Sequence, residues 1–250
     1  MNPTLETIFR HRSIRKYQEK EIPQDVLERV LEAGTRASNT GNMQVYSVVV
    51  TQSAEMKAKL SPLHFNQPMI KQAPVVLTVA ADVARFQHWC EINGAERSYD
   101  NFLWFVCGCI DSMLFAQNIA VAAEAEGLGL CFLGTTLYMA REIAQVLEMP
   151  KGVIPITTIT MGYPAEEPAL SDRLPLKAVV HYETYRKESD EDIRQLYYDT
   201  DHSELTKRLL EENQLPNLAQ VFTQRRYTKK DNEAISAGLV ALLKENCFLE

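Results

Sequence analysis

Seven consecutive residues near the N-terminus, His11-Arg12-Ser13-Ile14-Arg15-Lys16-Tyr17, gather two guanidinium groups, an ammonium, an imidazole, a serine hydroxyl and a phenol. A guanidinium presents a planar fork of donors that suits a phosphate or a polarised ring carbonyl. A hydroxyl and backbone amides can complete an anion site. If Ile14–Tyr17 is extended, alternate side chains share a face, and Arg15 then points with Tyr17. A second stretch, Gly34 to Asn42, is small and polar and reads as a helix end running into a loop. A third, Leu130-Cys131-Phe132-Leu133-Gly134-Thr135, is an apolar run that ends on a glycine, where backbone can approach a ligand that a side chain would keep out. There is no G-x-S-x-G elbow, no H-E-x-x-H and no paired Cys/His spacing.

These residues sit in an acidic chain. Its 250 residues are 46% hydrophobic and 24% charged, with a formal net charge of −7 and a pI near 5.4. A bulk attraction to nucleic acid or to an anionic membrane is therefore not expected, and a local basic run suggests a small anionic ligand. The five cysteines, Cys90, Cys107, Cys109, Cys131 and Cys247, are odd in number and irregular in spacing. They read as small buried hydrophobes in a reducing cytoplasm. The first residues carry neither a basic nor an apolar leader region, so no signal peptide is expected. No apolar run reaches the ~20 residues that cross a bilayer.

The elements that must position the candidates follow from periodicity. Pro23 and Asp25 suit a helix start, and Val26, Leu27, Val30, Leu31 and Ala33 recur at helical spacing. Tyr46–Thr51, Val75–Ala81, Leu130–Leu133 and Ile154–Met161 read as strands, the first as a buried one. Phe102–Glu126 reads as a long helix, apolar nearly all round, which predicts a central helix or one buried by a partner chain. Gly127 is placed for a left-handed cap at its end. A helix over about Met139–Leu147 has Thr135 or Thr136 near its start. Val179–Tyr182 is a candidate further strand, and Asp190–Tyr198 and Asp231–Lys244 are candidate helices of a polar tail. That tail carries too few apolar residues to fold alone, which predicts that it wraps the body or a second subunit.

Several landmarks stand in one order: the His11–Tyr17 motif, Ser38–Gln44, Gln67 before Ala73-Pro74, Asp111-x5-Gln117-Asn118, Glu126–Gly134, Met161–Pro164 and Arg173-Leu174-Pro175. In this the chain resembles the flavin-dependent nitroreductase superfamily, most closely the long branch of oxygen-insensitive nitroreductases and flavin reductases. The resemblance implies an α+β fold, with a central, mostly antiparallel sheet flanked by helices in an intertwined homodimer. Residues 1–185 would form the FMN-binding core, and 186–250 a helical extension. It implies one FMN in each of two interface clefts, with NADH or NADPH as co-substrate and small-molecule electron acceptors: nitro compounds, quinones or free flavin.

Residue by residue, the resemblance gives His11, Arg12, Ser13 and Arg15 the ribityl chain, phosphate and pyrimidine edge. Gln67 would bond the isoalloxazine ring. Asn39, Thr40 and Gln44 would come from the partner subunit. Cys131, Phe132, Leu133, Gly134 and Thr135 would pass along the ring, and Arg173 would reach the phosphate. No side chain need act as nucleophile, because the cofactor carries the hydride chemistry. Two positions depart from the branch. Ser171 stands where a lysine is usual two residues before Arg173, and Asp201 stands near the place of an arginine that selects NADPH. The competing readings are a non-enzymatic FMN-binding or regulatory protein and a reductive dehalogenase of the same superfamily.

Overall fold

The computed structural model describes residues 1–250. The elements run α1 (Pro3–Phe9), α2 (Gln24–Thr35), β1 (Tyr46–Thr51), α3 (Ala54–Leu60), α4 (Pro68–Gln72), β2 (Val75–Asp82), α5 (Ala84–Ile92), α6 (Phe102–Ala125) and β3 (Gly129–Leu133). They continue with α7 (Thr135–Tyr138), α8 (Ala140–Val146), β4 (Val153–Gly162), α9 (Asp190–Leu196), α10 (Tyr198–His202), α11 (Glu204–Asn213), α12 (Leu218–Val221) and α13 (Lys229–Glu245).

The four strands form one antiparallel sheet in the order β1-β2-β4-β3. Every residue of β2 and β4 is buried, as their runs of Val, Ile, Leu and Thr require of central strands covered on both faces. β1 differs from its expectation as a buried strand. Only Tyr46 and Thr51 are fully buried and Val50 is exposed, because β1 lies at the sheet edge. β3 is the other edge, and the N-terminal motif occupies part of its outer side. Ile14 N donates to Leu130 O at 2.8 Å, in a parallel bridge between Ser13 and Leu130.

Asn101 caps α6, its side chain accepting from Trp104 N at 3.3 Å, and Gly127 follows its end in a left-handed conformation (φ 78°). One face of α6 packs Phe115, Ala116, Ile119 and Ala120 against α2 and the sheet. The other leaves Phe102, Leu103, Ile110, Met113 and Leu114 exposed. At 24 residues, with an 18-residue stretch of mean hydropathy 1.5, α6 is long and apolar enough to cross a membrane, contrary to the expectation that no run reaches that length. Asp111 breaks the apolar pattern and is itself buried within the fold. Across the sheet, Ile14, Tyr17, Leu60, Ile70, Cys131 and Ile143 form a second core.

The contacts divide the chain into two compact units, Met1–Leu170 with Ala237–Glu250, and Ser171–Ser236. The tail unit therefore begins before residue 186, and the last residues belong to the first unit, where Leu242, Leu243 and Phe248 join a core with Val45, Phe105 and Ile154. Within the second unit, Val179–Tyr182 is not a strand. Val180 N donates to Leu176 O in a turn, and Val179 and Tyr182 are exposed, with no strand beside them to supply a ladder. The helix expected over Asp190–Tyr198 forms as α9 and α10, opened by a capping box between Ser189 and Asp192. Of the cysteines, Cys90 and Cys131 are buried and Cys107 and Cys109 half-buried, and all are free. Burial pushes the Cys109 thiol up to about 12. Cys247 is exposed, because it follows the last helix turn in a left-handed conformation (φ 62°) that turns the chain back toward Phe248.

Candidate functional site

The His11–Tyr17 strip is extended only in part. Ile14 and Tyr17 are both buried, three residues apart, and Arg15 and Lys16 are exposed between them. Arg15 and Tyr17 thus do not share a face as a regular strand would place them. The cause is Glu166, whose Oε1 accepts the consecutive amides of Arg15 (2.8 Å) and Lys16 (3.1 Å). Two successive N–H groups on one acceptor break the alternation of a strand. Tyr17 turns inward, where its hydroxyl donates to Ile14 O at 2.7 Å and lies 2.8 Å from Thr160 Oγ1. Burial holds that phenol well above its usual range.

The other side chains of the motif divide by charge. His11 Nδ1 lies 2.6 Å from Glu124 Oε1, and Arg12 Nη1 donates to Glu167 Oε1 (3.0 Å) and Pro168 O (3.1 Å). Arg15 is exposed and makes no ion pair, and its positive charge acts on the Cys131 thiol. There burial pushes the thiol up and Arg15 partly opposes it. An open cleft of about 910 Å³ runs along Arg10, Arg12, Gln18, Glu124 and Gly129. Gly129 is required by close packing, since a Cβ there would stand 2.6 Å from Ile14 Cγ1.

The wall residues separate by face. Cys131 and Leu133 are buried in the second core, and Phe132 packs toward the first. Past them, Gly134 is exposed, and a Cβ built on it would meet nothing within 4 Å. Thr136 closes the turn, its Oγ1 donating to Leu133 O at 2.9 Å. Thr135 Oγ1 lies 2.8 Å from Nδ1 of His64. His64 is fully buried, and desolvation lowers its pKa to about 4, so the ring is neutral at ordinary pH. Phe65 and Asn66, both left-handed (φ 55°), then lead to Gln67. The His64–Thr135 pair thereby ties the Gln67 loop to the Gly134 turn. No role for His64 was legible in the sequence, because its partner is 71 residues away.

Asn39, Thr40 and Gln44 form a separate group. Asn39 Oδ1 accepts from Gln44 N at 3.3 Å, and Asp111 Oδ1 accepts both the Thr40 amide (2.9 Å) and its hydroxyl (3.1 Å). Asp111 was legible as part of a motif, but without a role. Ser171 and Arg173 fall in the second unit. Arg173 Nη1 donates to the carbonyls of Ser171 (3.2 Å) and Asp172 (3.0 Å).

FMN needs an anion anchor, donors for ring oxygens and a close apolar wall. The first unit meets those needs: Arg15 is a cation with no ion pair, Ser13 and Gln67 have side chains without protein partners, and Gly134 faces open space. No group of His, Cys, Asp and Glu is arranged to hold a metal.

The model of the Nitroreductase family matches residues 8–163. The chain is 33% identical over 193 residues to the FMN reductase (NADPH) of Bacillus subtilis (strain 168), covering 76% of this chain and 78% of that one. A crystal structure from Bacteroides fragilis NCTC 9343 has a TM-score of 0.96 at 48% identity, over 98% of this chain and 100% of the other. The NADPH:FMN oxidoreductase from Vibrio harveyi, complexed with NAD+, has a TM-score of 0.81 at 26% identity and covers 99% of each chain.

Proposed function

The chain belongs to the nitroreductase family, and from that premise we propose that two copies close a pair of FMN clefts and pass two electrons from NADH or NADPH to nitro compounds, quinones or free flavin. The activity is that of an FMN-dependent NAD(P)H oxidoreductase. Bound FMN supplies the hydride chemistry. The chain's own residues bind and orient it. The observation that carries the reading is the pairing of Ser13 with Leu130, which lays the His11–Tyr17 motif along β3, the strand that leads into the open Gly134 turn.

In this reading His11, Arg12, Ser13 and Arg15 serve the phosphate, ribityl chain and pyrimidine edge. Cys131 and Leu133 contribute backbone along the ring, since their side chains are committed to the core. Phe132, Gly134 and Thr135 complete that wall. Gln67 donates to the ring, held at its place by the His64–Thr135 contact. The family resemblance further assigns Ser171 and Arg173 to the phosphate, and Asn39, Thr40 and Gln44 to the cleft of the second copy. The exposed apolar face of α6 is the interface, because Phe102, Leu103, Ile110, Met113 and Leu114 lie on one side of the helix and are left in water by a lone subunit. The five free thiols suit a reducing cytoplasm.

The test is direct. The purified full chain is expected to be yellow, with close to one FMN per subunit. Anaerobic addition of NADH or NADPH is expected to bleach the flavin band, and an added quinone to restore it. A chain that binds FMN but does not bleach with either coenzyme would be the binding protein instead. A chain that binds no flavin after reconstitution would overturn the assignment.

A further inference from the structure

Residues 39–45 form a loop held by side chains outside it. Gly41, Asn42 and Gln44 all have left-handed backbone (φ 58°, 57° and 53°), a conformation in which L side chains are strained. Two residues fix it from opposite ends. At one end, Asp111 on α6, only 1% exposed, accepts both donors of Thr40 on a single oxygen, at 2.9 and 3.1 Å. At the other, Arg85 on α5 donates from Nη2 to the carbonyls of Gln44 and Tyr46, the latter at 3.0 Å. Its Nη1 reaches Ser47 Oγ at 3.0 Å.

Arg85 is oriented in turn by Asp82. Asp82 Oδ1 accepts the Arg85 amide at 3.1 Å, and its Oδ2 accepts the Ser47 hydroxyl at 2.5 Å and stands 3.5 Å from Arg85 Nη1. A planar fork that meets two carbonyls fixes direction as well as distance, which an ammonium cannot do. The guanidinium is thus engaged by backbone of the loop, although its side chain is 55% exposed to solvent. The loop also borders the face assigned to the dimer interface: Ile110, Met113 and Leu114, all exposed, flank Asp111 on α6.

We propose that Arg85 and Asp111 are positioning residues for the cofactor bound in the partner's cleft. They set the conformation in which Asn39, Thr40 and Gln44 are presented across the interface, and so the affinity and ring environment of an FMN that neither of them touches. The inference rests on the reading that these three residues reach the partner's FMN.

The experiment uses full-length dimers. Arg85→Met, Arg85→Lys and Asp111→Asn are made, and FMN binding to the apoprotein is titrated and followed by visible circular dichroism. Arg85→Met and Asp111→Asn are expected to weaken FMN binding at least tenfold and to change the dichroism of the bound flavin. Arg85→Lys is expected to lie between Arg85→Met and wild type. Melting of the apo dimer separates this from loss of fold, and the lysine variant keeps the test alive if the methionine variant does not fold. A heterodimer then pairs a subunit carrying Arg85→Met with one carrying Arg15→Ala. If Arg85 acts across the interface, both defects fall in one cleft, and the other binds FMN with wild-type affinity at half stoichiometry. Wild-type affinity and dichroism in the Arg85 and Asp111 homodimers, or a heterodimer with no wild-type cleft, would overturn the proposal. Failure of the wild-type chain to bind FMN would instead overturn the functional assignment on which it rests.

Discussion

The imidazole of His64 and the hydroxyl of Thr135 stand 2.8 Å apart and join two loops that lie 71 residues apart in the chain. One loop carries Gln67 and the other follows the Cys131–Gly134 wall. Desolvation keeps the ring neutral, with a pKa lowered to about 4. In the unfolded chain the same group takes a proton near 6.5. Between those values the unfolded state binds more protons, so acid favours unfolding: this contribution is complete above about pH 6.5 and is lost as pH falls toward 4. Between pH 7 and pH 5 the wild type is expected to lose about 2 kcal/mol more stability than His64→Leu. Urea unfolding of both proteins at the two pH values measures this, and parallel pH dependence would show that the ring is not buried neutral.

Arg15 has no ion pair, in contrast to Arg12 with Glu167. Arg15→Ala is expected to weaken FMN binding by roughly 1.5–3 kcal/mol, the range of a hydrogen bond to a charged group. Arg173→Ala should fall in the same range. Fluorescence titration of the apoprotein reads both, and wild-type affinity in either variant removes that residue from the cofactor set.

Gly134 and Gly129 predict opposite outcomes. A Cβ on Gly134 meets nothing within 4 Å, so Gly134→Val is expected to leave apoprotein melting nearly unchanged while blocking FMN. A Cβ on Gly129 stands 2.6 Å from Ile14, so Gly129→Ala is expected to lower stability by about 1–3 kcal/mol. Full FMN binding by Gly134→Val would show that the ring lies elsewhere.

Met113 and Leu114 are exposed on α6 and belong to none of the core clusters of their own subunit. The double substitution Met113→Lys with Leu114→Lys should therefore leave subunit secondary structure intact and shift sedimentation from dimer to monomer. Obligate interfaces of this apolar kind bury more than about 2,000 Å², and two central charges disrupt them. An unchanged dimer would place the interface on another face.

Asp201 on α10 is exposed, and the nearby Arg194 and Lys207 are engaged with Glu191 and Glu204. If Asp201 borders the coenzyme, its carboxylate repels a 2′-phosphate by about 1 kcal/mol at 4 Å in water. The ratio of kcat/KM for NADPH over NADH, with one fixed acceptor, is then expected to stay below about a hundredfold, and Asp201→Arg to raise it. No change on substitution would place the coenzyme elsewhere.

Much of the frame was legible in the chain itself. The β-branched and apolar runs over residues 46–51, 75–81 and 154–161, the helical spacing from Val26, the Gly127 signal at the end of α6, and the ordered motifs from His11 to Pro164 are all local patterns. Hydrophobic period and cap chemistry act within a few residues, so a single chain displays them. What depended on distant partners was not legible. Glu166 bends the strip so that Tyr17 turns inward, Asp111 grips Thr40, His64 meets Thr135, and the sheet edge leaves β1 half-buried. The segment Val179–Tyr182 has strand composition and no ladder to join. A residue's intrinsic preference states what it can do, whereas the partner that satisfies a buried carboxylate, imidazole or backbone amide is chosen only when packing brings remote segments within hydrogen-bond reach.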